Sequence, residues 1–388
     1  MTDMLAPQPK KRIESIDVMR GIVMVIMALD HTRDFFTPQN FNPTDLTKAS
    51  TALFLTRFIT HFCAATFVFL AGTGAFLSLS RGKTKGEAAR FLISRGIWLI
   101  ILELTLVNWG FSMNHGTWQF QMDYSFVFLQ VIWVIGVSMI ILAGLIYLPV
   151  KAIGIIGLIL IFGHNAFDSV DPKSLGEAGG TVWQFLHVQS MFNYAHGSRH
   201  IFILYPIIPW VGVMAAGYSF GTLYKQDQAK RKKALVTTGV SALVLFVVIR
   251  SFNLYGDPDH WTKQGVWYRT ILSFINAQKY PPSLDYLLIT LGPVMIALAY
   301  LENIKNKVTE IFLAFGRVPL FYYLCHIYLL QLMANITFRI CQANHITYGF
   351  SLPVVYGMWL LAVIILYFPS RWFMQYKMTH KQWWLSYL

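Results

Sequence analysis

The sequence predicts an all-α, polytopic integral membrane protein of about ten transmembrane helices with both termini cytoplasmic, and three observations predict it. Of the 388 residues, 55% are apolar or aromatic and only 13% are Asp, Glu, Lys or Arg, against about 25% charged in a soluble domain. Apolar runs recur at the ~20-residue length that crosses a bilayer. Lys and Arg, 31 against 18 acidic residues for a net charge of +13, collect in alternate short loops, as cytoplasmic loops do. An ordinary soluble enzyme is excluded.

The expected spans are 16–36, 53–79, 91–111, 125–148, 150–166, 201–223, 235–252, 284–301, 311–340 and 352–373, with the fifth the shortest. Lys10, Lys11 and Arg12, then Arg81, Lys83, Lys85 and Arg90, then Lys151, Lys225 and the basic run 230–233, Lys305, Lys307, Arg371, Lys377 and Lys381 all fall on one side. That side reads as the cytoplasm. The outer loops, 37–52, 112–124, 167–200, 253–283 and 341–351, hold few basic residues and include the longest connections. No polar stretch is long enough for a separate soluble domain, so 1–388 reads as one membrane-embedded unit with cytoplasmic tails at 1–12 and 374–388. No cleavage pattern follows the first span, and a signal peptide is not expected. Cys63, Cys325 and Cys341 are odd in number and far apart, which argues against a disulfide framework or a cysteine metal site. The basic run 230–233 is loop charge, and nucleic-acid binding is discarded.

Ionisable residues at membrane depth are costly and mark functional sites. Counted along the first helix, Asp30, His31, Arg33 and Asp34 lie about 22–29 Å from Ser15, toward its outer end. Arg57 and His61 lie near the outer end of the second span, and Asn108, Asp285 and His326 in the outer halves of the third, eighth and ninth, with Glu103 nearer the middle. A cavity opening to the non-cytoplasmic face would hydrate them together. Residues three or four apart share a helix face, so Asp30 is expected to pair with Arg33, His31 with Asp34, and Arg57 to share a face with His61.

At the inner end, Ser15 reads as an N-cap and Asp17 as the partner of Arg20, an arginine in an apolar helix suited to an anionic ligand. The run Lys279-Tyr280-Pro281-Pro282-Ser283-Leu284-Asp285 reads as a rigid outer loop entering a helix capped by Ser283. Pro319 frees a carbonyl and bends the ninth span ahead of His326. Gly217-Tyr218-Ser219-Phe220-Gly221 is a close-packing signal without chemistry. His196 and His200 stand four apart in an outer loop, without HExxH or carboxylate spacing, and no catalytic metal is expected. No Walker loop and no GxGxxG after a strand is present, and Gly217 to Gly221, which fits GxSxG, lies inside an expected span rather than at a nucleophile elbow.

Arg12-x-x-Ser15-x-Asp17-x-x-Arg20-Gly21, the span ending Asp30-His31, and Phe67-Val68-Phe69-Leu70-Ala71-Gly72 resemble the heparan-alpha-glucosaminide N-acetyltransferase catalytic-domain family, within the transmembrane acyltransferase superfamily. Lys279-Tyr280-Pro281-Pro282-Ser283 and Phe315-Gly316-Arg317-Val318-Pro319-Leu320 resemble its bacterial members, and the likeness runs from Arg12 to about His326. The resemblance implies transfer of an acetyl group from cytoplasmic acetyl-CoA to an amine or hydroxyl of a glycan or amino sugar on the far side, through a membrane-embedded histidine. It implies a multi-pass protein of a bacterial inner membrane. His31 is the position onto which the histidine's role carries, as nucleophile or general base. Asp30, His61 and His326 are the accompanying catalytic candidates. Arg33, Arg57, Asn108, Lys279 and Asp285 are candidates for acceptor binding, and Asp17 and Arg20 for the CoA phosphates. Two rival readings remain: a secondary transporter of a small polar or anionic solute, and a non-catalytic scaffold or sensor. The sequence leaves open whether the chain works alone or as a homo-oligomer.

Overall fold

A computed structural model describes residues 12–37, 41–112, 122–194 and 197–388. Among them, eight helical stretches are long and apolar enough to cross a membrane. The protein is a multi-pass helical membrane protein. Apolar side chains on α10 (Gln228–Phe252) and α15 (Leu352–Thr379), such as Val244, Ile364 and Phe368, are 57%, 58% and 66% exposed and suit a lipid-facing surface.

The central helix is α1 (Glu14–Phe36), which carries too many charges to read as an ordinary span, yet buries most of its length. Ser15 is not its cap: the helix begins at Glu14, and Ile13 takes the capping position without a side-chain bond. The second expected span is two helices, α2 (Thr51–Thr60) and α3 (Phe62–Leu79), interrupted at His61. The third runs through α4 (Lys85–Leu102), a π-helical turn at Glu103–Val107 and α5 (Asn108–Ser112).

The fourth and sixth expected spans each begin as a strand. Strand β1 (Phe126–Leu129) precedes α6 (Val131–Leu145), and β3 (Arg199–Ile203) precedes α9 (Ile207–Phe220), with β2 (Ser190–Tyr194) drawn from the outer loop. The strand order is β1-β3-β2; Phe126 to Leu129 run parallel to His200 to Ile203, and β2 pairs antiparallel with β3. The helical reading therefore gains a small sheet on the outer side. Between these elements lie α7 (Val150–Gly163) and α8 (Gly176–His187).

Beyond α10, the short α11 (Trp267–Ile275) leads to α12 (Leu284–Leu301), whose first turn is capped by Ser283 as expected. The ninth expected span is again two helices, α13 (Lys307–Gly316) and α14 (Pro319–Ala343). Pro319 stands at the start of α14, where its missing N–H costs nothing, so it starts a helix rather than bending one. The expected tail at 374–388 is also structured. Helix α15 continues to Thr379, and Leu385 in the following 3-10 turn is buried against Val318 and Phe373. The end of the chain meets the inner side of the bundle, with Arg95 Nη1 donating to the Ser386 carbonyl at 2.8 Å. Of the expected N-terminal tail, 1–11 lie outside the described residues.

Two glycine crossings set the helix spacing. At the α1–α13 crossing, a Cβ on Gly21 would stand 1.9 Å from the Phe312 carbonyl oxygen, and one on Gly316 1.7 Å from that of Asp17. At α3–α9, a Cβ on Gly72 would meet the Met214 carbonyl at 2.0 Å and one on Gly217 that of Phe69 at 2.1 Å, with Thr73 Oγ1 donating to Gly217 O at 2.9 Å. Small residues at such points let backbones approach closely, as expected of Gly217. Gly21→Ala, which must push the α1 and α13 backbones apart, is expected to destabilise the protein by about 1–3 kcal/mol. A fall in its thermal midpoint in detergent, beside an unchanged midpoint for Gly86→Ala, where a Cβ meets open space, checks this.

Candidate active site

The outer end of α1 borders a chamber of about 440 Å³. Its wall takes Asp30, His31, Arg33 and Asp34 from α1, Arg57 from α2, Gln130 from the β1–α6 junction, Tyr205 from the β3–α9 junction, and Lys279 and Tyr280 from the loop before α12. Several contributing elements are interrupted or begin at the chamber: α2 at His61, α6 after β1, α9 after β3 and α12 after the loop 276–283. Irregular backbone is tolerated at membrane depth where it lines a cavity.

Asp30 anchors the charges. Its Oδ1 is 2.8 Å from Arg33 Nη1, the expected pair three apart, and its Oδ2 is bound by Arg57 Nη1 from α2. Asp30 is thereby held between two guanidinium groups, and His31 Nδ1 makes no hydrogen bond to it. Arg33 Nη2 also meets Asp34 Oδ1 at 2.5 Å, so Asp34 serves Arg33 rather than His31. Arg57 Nη2 donates to the Tyr280 hydroxyl at 3.4 Å, and Tyr280 stacks edge-on against Tyr205 at 5.2 Å. Burial pushes the Tyr280 phenol up, but the Lys279 and Arg57 cations outweigh it and bring it below its ordinary range. Lys279 is 7% exposed and, among the described residues, has no carboxylate within ion-pair distance.

His31 lines the chamber with its ring 5.0 Å from that of His326, 5.2 Å from Phe111 and 6.4 Å from Tyr323. Its Nδ1 is buried without a partner among the described residues. His326 stands behind it, fully buried, with Nδ1 donating to the Tyr322 carbonyl at 3.2 Å and Nε2 unpartnered among the described residues. The two imidazoles form a layered pair, one on the chamber and one in the core.

A second cavity of about 300 Å³ lies toward the inner side, mostly apolar and carrying Arg20 and Arg95 in its wall. Met27, Phe67, Val131 and Tyr323 line both cavities and form the partition between them. Arg20 donates to the Leu70 carbonyl at 2.7 Å and lies 3.6 Å from Asp17. Asp17 itself is not in the cavity wall. It is buried beneath Arg12, Arg20 and Arg317, which makes it a counter-ion rather than a ligand-binding group.

The chain matches the family described as heparan-alpha-glucosaminide N-acetyltransferase, catalytic, over residues 12–255, well over half of its length. The chain belongs to this family. It is accordingly a membrane acetyltransferase. Comparison with curated proteins gives no match. The matched segment ends before Lys279, Tyr280 and His326, short of the sequence likeness seen to about His326, so Lys279 and Tyr280 reach the chamber wall, and His326 the His31 ring, through the fold.

Three expected site residues lie elsewhere. His61 fills the α2–α3 interruption, buried against Phe58 and Tyr286, and contributes its backbone carbonyl to the Tyr286 hydroxyl at 2.6 Å rather than its ring to the chamber wall. Asn108 ties the start of α5 to β1, donating to the Phe126 carbonyl at 3.3 Å and accepting from Phe128 N at 3.1 Å. Asp285 lies 3.6 Å from Arg250, which is 2% exposed, also approaches Asp257 at 3.7 Å and donates to the Asn276 carbonyl at 2.7 Å. Burial pushes the Asp257 carboxyl up to about 6 against the opposing pull of Arg250. Asp257 Oδ2 accepts from Ser283 Oγ at 2.7 Å and Gln278 N at 2.8 Å, so this network holds the loop that presents Lys279. Glu103 likewise caps α6, accepting from Trp133 N at 2.8 Å.

The sequence reading passed over Arg95, Gln130, Tyr205 and Tyr323. Arg95 carries the same signal as Arg20, a cation within an apolar span; the other three carry none. Asp30→Ala strands two buried guanidinium groups and is expected to cost about 3–5 kcal/mol, against a small change for His31→Ala. Thermal midpoints of the two variants in detergent, measured side by side, check this order.

Proposed function

We propose that the protein transfers an acetyl group from acetyl-CoA, entering the inner cavity from the cytoplasm, to an amine or hydroxyl of a glycan or amino sugar held in the outer chamber. The observation that carries this reading is the pair of cavities sharing one wall, with Arg20 and Arg95 the charged lining of the inner one and Asp30, His31, Arg33, Asp34, Arg57 and Lys279 gathered on the outer. Arg20 and Arg95 suit the CoA phosphates, since guanidinium groups bind phosphate oxygens bidentately. The apolar remainder of that cavity suits the pantetheine arm. From Arg20 to His31 is eleven residues of helix, about 16 Å, comparable to that arm extended.

In the outer chamber, His31 takes a proton from the acceptor as its nitrogen or oxygen attacks the thioester carbonyl. A neutral imidazole suits that task near neutral pH. The C–S bond breaks, the CoA sulfur leaves toward the inner cavity, and the proton held on His31 is released to it or to water. Lys279 and Arg57 stabilise the oxyanion and orient the acceptor's hydroxyls, and His326 buttresses the His31 ring. The outer face is on this reading the periplasmic side of a bacterial inner membrane.

Purified protein in detergent is expected to release CoA from radiolabelled acetyl-CoA when glucosamine is supplied, and His31→Ala to lower the rate about 10²–10⁴-fold. Full activity in His31→Ala overturns the central role. Label bound covalently to wild-type protein but absent from His31→Ala would assign a nucleophile rather than a base. Arg20→Ala and Arg95→Ala are expected to raise the KM for acetyl-CoA with a smaller effect on kcat, measured by initial rates over a range of donor concentrations.

A further inference from the structure

A second cluster lies outside both cavities, at the outer end of α7. His164 follows that helix directly, Asp168 stands four residues on, and His187 closes α8. One ring nitrogen of each histidine and a carboxylate oxygen of Asp168 lie within 4.8 Å of one another, the one such group of three among the described residues. His164 is 2% exposed, and both of its ring nitrogens are buried without a hydrogen-bond partner among the described residues. Whichever tautomer it adopts, a buried donor and a buried acceptor go unpaired, an arrangement folded proteins avoid. His187 is equally buried, with one ring nitrogen 3.0 Å from Asp168 Oδ1.

We propose that His164, Asp168 and His187 bind one divalent transition-metal ion of the zinc type, as a structural clamp separate from the acetyl-transfer chamber. Two imidazoles and a carboxylate suit zinc, whereas calcium and magnesium take mainly oxygen ligands. Tetrahedral bonds of 2.0–2.2 Å place ligand atoms about 3.3–3.6 Å apart, and the separations here run from 3.0 Å between His187 and Asp168 to at most 4.8 Å. The ligands are also braced from behind. Asn165 Nδ2 donates to Asp168 Oδ2 at 2.7 Å, and Trp183 packs on the His187 ring at 5.0 Å. Such supporting bonds orient metal ligands. The Asp168 side chain is 22% exposed, which gives an ion its entry and a water the fourth position. Asn165 Oδ1 also accepts from Leu284 N at 2.9 Å, so the clamp ties α7 and α8 to the start of α12.

The test uses the full chain purified in detergent on a tag without histidines, exposed to Zn²⁺ and then freed of excess. Elemental analysis is expected to find one zinc per chain, and chelation to lower the thermal midpoint, with Zn²⁺ restoring it and Mg²⁺ failing to. Asp168→Asn, which keeps the shape of the side chain, and His164→Ala are expected to weaken zinc binding at least about 10-fold and to remove the response to chelator. A wild-type protein that retains no stoichiometric zinc overturns the proposal, as does equal zinc in Asp168→Asn and wild type, which would mean adventitious binding at other histidines.

Discussion

Asp30 between Arg33 and Arg57 is the contact on which the site depends. A carboxylate at membrane depth is costly alone, and a guanidinium is equally so. Joined, they fix the outer end of α1 against α2. Asp17 does the same work at the other end of α1, under Arg12, Arg20 and Arg317. The thirteen helical steps from Asp17 to Asp30 span about 20 Å. A helix pinned at both ends cannot turn about its axis, which fixes His31 toward one chamber and Arg20 toward the other.

The outer charges are unequal in a way that matters for chemistry. Asp30 and Asp34 occupy the two arginines, while Lys279 stands in the same wall without a carboxylate among the described residues. Its position is set from outside the chamber, by Arg250, Asp257 and Ser283 gripping the loop on which it sits. Asp285, expected beside an acceptor, belongs to that grip. A carboxylate that builds a loop and a cation that the loop delivers are therefore different contributions from residues six apart.

The spans were legible because hydropathy outweighs every other influence on a helix in lipid, and ten expected spans each correspond to helical segments. Of their interruptions, Pro319 marked that of the ninth span, and the others left no such signal. Thr60-His61-Phe62 holds neither Pro nor Gly, and Phe126–Leu129 is an apolar run that reads equally as strand or helix. Most charged residues lining the cavities were legible by depth: Asp30, His31, Arg33, Asp34 and Arg57 reach the outer wall and Arg20 the inner, while Lys279 was read from the rigid loop that carries it. Depth does not say which way a side chain faces. Asn108 and His61 lie at the expected level but serve β1 and Tyr286, and His326 reaches His31 only as a second layer.

The close helix contacts bear on the choice between enzyme and transporter. Alternating access moves one half of a bundle against the other around a site near the midplane. Here Gly21 and Gly316 place α1 and α13 backbone to backbone toward the inner side, and Gly72 and Gly217 do so for α3 and α9. Helices in such contact have little room to slide past one another. Two chambers of different chemistry, divided by Met27, Phe67, Val131 and Tyr323, suit a reaction whose two substrates arrive from opposite faces and meet at a wall that need not move far. On the proposed reading only the acetyl group crosses, and a rigid bundle is then an advantage, since it holds His31 in register with a thioester delivered from below.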